Sequence, residues 1–127
     1  MRGAVVIAVC ALALTGCSGV ADQEAGAAAA AFAGAPPAQA CDLLAPDTVD
    51  KLEQTSGKGC QDALAALGLP TGTQVEGVTV AGESAQVRLA GQVLFLARFP
   101  QGWLVTAAGC ERDDADPAVP YQCEVES

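Results

Sequence analysis

The stretch VTVAGESAQVRLAGQVLFLARFPQGWLVTAA, residues 78–108, sets the rhythm of this chain. Val78 and Val80 alternate with polar neighbours, and Ala81-Gly82-Glu83-Ser84 supplies a turn. Ala85, Val87 and Leu89 alternate again before Ala90-Gly91. Such period-two patterns place every second side chain on one face of a strand. The next run, QVLFLARF, is apolar on both faces until Arg98, which predicts a central, covered strand. Pro100-Gln101-Gly102 then turns the chain into WLVTAA. Short strands at this spacing, joined by tight turns, predict a four-stranded antiparallel meander.

Working upstream, the period changes to that of a helix. In CDLLAPDTVDKLEQTSGKGC, residues 41–60, Pro46 suits a first helical turn and Asp47 complements its positive end. Val49 and Leu52, with Leu44, form an apolar side, and Ser56-Gly57-Lys58-Gly59 breaks the helix. The following CQDALAALGL places Leu64 and Leu67 with Cys60 and Ala63 on one face, and Gly68 with Pro70 ends it. Two N-terminal helices before a meander predict an α+β layered fold, the helices covering one sheet face. This unit begins near Ala40 and runs to Ser127.

A domain of that length is close to the size at which core burial alone gives marginal stability. Of the 127 residues 27 are alanine, which buries little area, so the core falls to Leu, Val, Phe and Trp. Covalent staples are therefore valuable. Cys41, Cys60, Cys110 and Cys123 are an even set that allows three pairings. Cys41–Cys60 and Cys110–Cys123 each bracket one local unit, the helical hairpin and the acidic tail ERDDADPAVPYQ, and each loop closure contributes about 3 kcal/mol. A zinc site is disfavoured because 18 and 12 residues intervene within these pairs and the chain has no histidine.

The formal charge of −9 repels a phosphate backbone, and no Lys/Arg cluster offsets it, so nucleic acid is not an expected partner. Anionic headgroups are repelled as well, so attachment to a membrane has to come from something other than charge. The first residues supply it. In MRGAVVIAVCALALTGC, one positive charge, Arg2, precedes an apolar run from Ala4 to Leu14 of 11 residues. That run falls well short of the roughly 20 residues a spanning helix needs. A charged start, a short apolar segment and small residues behind it describe a secretory signal peptide.

Leu14-Thr15-Gly16-Cys17 resembles the lipobox of bacterial lipoproteins. The resemblance implies cleavage between Gly16 and Cys17 and a diacylglycerol on the Cys17 thiol, with N-acylation of the new terminus as a further step. Cys10 would leave with the leader. Two or three acyl chains of the palmitate kind give a stable anchor where one does not. The expected address is the extracytoplasmic face of the cell membrane, with residues 1–16 as leader. Residues 17–39, almost all Ala, Gly, Pro and small polar residues with Phe32 the one bulky side chain, read as the lipidated cysteine and a flexible tether.

The segment GESAQVRLAGQVLFLARFPQGWLVTAAGC resembles the sheet of nuclear transport factor 2-like proteins. With PYQC downstream, the chain also looks like small uncharacterised lipoproteins of actinobacteria. That fold hosts enzymes and binding modules alike and so does not assign a function.

For catalysis the residues offer little. There is no histidine to act near neutral pH, no Gly-rich phosphate loop and no nucleophile motif. Asp42, Asp47, Asp50 and Glu53 read as a solvated helix face, and Glu111, Asp113, Asp114 and Asp116 as a solvated loop without the glycine and terminal glutamate of a calcium loop. Trp103 and Arg98 are the candidates for lining a cavity or stacking on a ligand, against a core tryptophan and an edge arginine. No metal or dissociable cofactor is expected. The reading is a membrane-anchored binding or accessory module without enzymatic activity. Its ligand is a small molecule or an envelope protein. The alternatives are a small carboxylate-using cavity enzyme of the nuclear transport factor 2-like type and a structural envelope protein.

Overall fold

The computed structural model describes Gly3, residues 18–113 and residues 115–127. The leader apart from Gly3, with Gly16 at its end, and also Cys17 and Asp114 lie outside the described residues. The described residues are α+β, with four helices followed by five strands: α1 (Ser18–Gly34), α2 (Pro37–Asp42), α3 (Pro46–Ser56), α4 (Cys60–Leu67), β1 (Val75–Ala81), β2 (Ser84–Leu89), β3 (Gln92–Phe99), β4 (Gly102–Glu111) and β5 (Gln122–Glu126). The strands pair antiparallel in sequence order, β1-β2-β3-β4-β5.

Two features of the expected fold are corrected. The described sheet has five strands rather than four, because residues 122–126, where the acidic tail ends, pair with β4, Ala108 opposite Val125 and Cys110 opposite Cys123. Among the described residues the helices number four rather than two, because most of the expected tether, residues 17–39, is taken up by α1 and the start of α2. Ala25, Ala29, Phe32 and Ala33 of α1 are all buried. They recur at three- and four-residue intervals, the spacing of one helical face. With methyl groups on that face, the α1 axis lies close to the sheet. A Cβ built on Gly26 would sit 3.4 Å from Val78 Cγ2.

Register explains which side α1 covers. Val78 opposes Val87, and Val87 opposes Leu94. Leu96 opposes Val105, and these residues share the inner face under the helices. Val87 and Leu94 are 0% exposed there. α1 packs against β1, β2, β3 and β4, while α3 packs against β4 and β5. Where β5 ends, the chain before α3 continues its place beside β4: Ala45 N–H donates to Val105 O (2.8 Å) and Val105 N–H donates to Leu43 O (2.9 Å).

Both disulfides join the pairs that bracket local units. Cys41–Cys60 clamps the end of α2 to the start of α4, and Cys110–Cys123 crosses from β4 to β5. Gly57 and Gly68, both at positive φ, end α3 and α4 in the left-handed conformation that glycine adopts without strain.

Candidate functional site

Trp103 and Arg98 meet face to face across two strands. They are opposite residues of β3 and β4, with the guanidinium 4.7 Å from the indole centroid. Trp103 is buried in the core, and its Nε1–H finds no acceptor among the described residues. Arg98 reaches back to Glu24 of α1 at 4.0 Å, an exposed pair of modest worth. Neither residue lines any of the clefts described below. Together they fasten the N-terminal half of α1 over the β3–β4 hairpin.

The acidic groups separate by role. Asp42, Asp47 and Asp50 are exposed. Glu53 Oε2 accepts a hydrogen bond from Cys60 N–H (3.0 Å), which satisfies one of the free donors at the start of α4. Asp116 Oδ1 accepts from Ala118 N–H (2.9 Å) and shapes the β4–β5 connection. Among the described residues no group of three or more His, Cys, Asp or Glu side chains could hold a metal ion. No helix among them is long and apolar enough to cross a membrane.

The β4–β5 connection folds back over the outer sheet face. Tyr121 meets Phe95 edge-on, with centroids 5.5 Å apart, accepts from Gln86 Nε2 (3.3 Å) and carries Arg112 over its ring at 4.6 Å. The shallow cleft beside it is lined by Arg88, Arg112 and Tyr121, but also by Glu76, Glu111 and Asp113. Its charges are mixed and it is widely open.

A better-formed cleft, of about 500 Å³, lies between the α3–α4 hairpin and β5. Its apolar lining comes from Leu52 of α3, from Ala63, Ala66 and Leu67 of α4 and from Val125 of β5. Lys51 of α3 and Lys58 of the α3–α4 turn stand on the helical wall, with Thr55 and Ser56. Glu124 and Glu126 line the strand side. Volume and lining fall in the range of small-molecule sites, mostly apolar with a few polar groups. These two are the only lysines in the chain. Neither ammonium group has an ion-pair partner or hydrogen-bond acceptor among the described residues. Sequence reading passed over them because one sits on a helix face and the other in a turn, where lysine is ordinary. The available signal was their scarcity in an acidic chain.

No protein-family model matches this chain, and neither a curated protein nor a solved structure does.

Proposed function

We propose that this protein is a lipid-anchored extracytoplasmic lipoprotein whose folded part is a binding or accessory module without catalytic activity. The observation that carries the reading is Leu14-Thr15-Gly16-Cys17 at the end of an apolar run of 11 residues. Diacylglycerol on the Cys17 thiol, with further acylation of the amino group, holds the chain at the membrane surface. The two disulfides support export, because such bonds persist in oxidising compartments. The filled inner sheet face favours this reading over a cavity enzyme. A cavity of the nuclear transport factor 2-like kind would open there, yet α1 and the side chains of Val87, Leu94 and Leu96 occupy it.

Growth with an alkyne-tagged palmitate, followed by detergent phase separation, tests the anchor. The native chain takes up the label and enters the detergent phase, and Cys17→Ala does neither. A Cys17→Ala chain that still partitions wholly with membranes overturns the reading.

A further inference from the structure

We propose that the cleft between the α3–α4 hairpin and β5 binds a singly charged anionic amphiphile of the medium-chain carboxylate class. This names a ligand class for the binding role above and rests on that role, but not on the anchor at Cys17. Three observations converge. The cleft encloses about 500 Å³ with an apolar lining that includes Ala66, Leu67 and Val125, room for an alkyl chain. Both lysines of a chain with net charge −9 border it, and neither ammonium has an ion-pair partner among the described residues. Glu124 and Glu126 border the strand side, so a second negative charge on the ligand would be repelled. The carboxylate head stands at Lys51 and Lys58, and the alkyl chain lies along α4 against Val125.

Decanoate, kept below its micelle-forming range, is the probe. It is titrated at low salt into the full chain carrying Cys17→Ala, with ¹H–¹⁵N NMR as the readout. Saturable shifts are expected at residues 51–58, 63–67 and 123–126. Dodecanoate binds roughly tenfold tighter than decanoate, as two further buried methylenes require. The uncharged alcohol of equal length binds more weakly. Removing each lysine costs about two- to fivefold in affinity, the range of partly exposed ion pairs. Ala66→Trp, at an exposed position, fills the cleft and abolishes binding while the rest of the spectrum stays unchanged.

A parallel titration with phosphatidylglycerol vesicles separates the two sources of such a ligand. Cleft shifts with vesicles assign it to the bilayer, and their absence beside decanoate binding assigns it to the aqueous phase. Either result is consistent with the site. No saturable decanoate binding, or binding indifferent to both lysine removals and to Ala66→Trp, overturns the proposal. The titration makes no use of Cys17, so its failure leaves the anchor untouched, and an unmodified Cys17 leaves the cleft untouched.

Discussion

Gln92 begins β3 with its side chain buried and both ends of its amide in use. Its Nε2 donates to Pro70 O (2.7 Å), and its Oε1 accepts from Gly109 N–H (2.9 Å), so one side chain ties the α4–β1 connection to β4. Gln92→Leu removes both hydrogen bonds, leaving the Pro70 carbonyl and the Gly109 N–H, both only partly shielded from solvent, without this partner. Urea unfolding should show a loss of about 1–3 kcal/mol, since each hydrogen bond lost contributes about 0.5–1.5 kcal/mol. Gly109 is the other end of that bond and sits at φ +63°, where a Cβ would also approach Leu69 Cδ2 at 2.8 Å. Gly109→Ala therefore combines backbone strain with a clash, and the same measurement should give a loss of about 2 kcal/mol. Trp103 behaves differently. Its indole N–H is already unpartnered, so Trp103→Phe gives up area but also a desolvated donor, and a change below about 1.5 kcal/mol is expected. Trp103→Ala, which opens a cavity, should cost about 3–5 kcal/mol. The sequence offered Trp103 two readings, a ligand-stacking residue and a core tryptophan. Only its neighbours, Arg98 and the core under α1, decide between them.

At the scale of elements, α1 is where sequence and structure part. A flexible Ala-rich linker exposes its peptide bonds, whereas a docked helix protects them until the domain opens. Elastase, which cuts after small residues, should leave residues 25–33 intact while the domain is folded. Rapid cleavage there would restore the tether. Ala29→Leu gives a second reading: Ala29 is 0% exposed, so the extra atoms should destabilise the domain by about 1–3 kcal/mol, against none for a linker. The strands β2 and β3 were legible because apolar and polar residues alternate along the one and apolar residues run through the other. α1 was not, because alanine occupies its exposed and buried positions alike, Ala27 and Ala31 in solvent, Ala25 and Ala29 in the core. The pattern has no contrast for a periodic reading to find, and Phe32 alone breaks it. β5 was missed for the opposite reason. Its five residues, QCEVE, are mostly polar, and they hold strand geometry through Val125 under the sheet and the disulfide to Cys110.

For the whole molecule, docking α1 changes what an anchor at Cys17 would do. The first described helical residue, Ser18, is its immediate neighbour in the chain. A tether of 22 residues would set the domain on the order of 25–30 Å from its lipid. A helix that begins at Ser18 and packs on the sheet through Ala25, Ala29 and Phe32 would instead keep the folded unit near the bilayer if Cys17 is lipidated. The lipobox pattern behind the proposed address was legible from residue types alone, because it is local. The cleft was not, since Lys51, Lys58, Ala66 and Val125 come together only after the α3–α4 hairpin closes on β5. The most direct test of the account is the mass of the mature N-terminal peptide from membranes of the native host. A chain that begins at Cys17 and carries a diacylglycerol on its thiol is the predicted result. A mature chain that begins elsewhere, or that retains Cys17 unmodified, would contradict it.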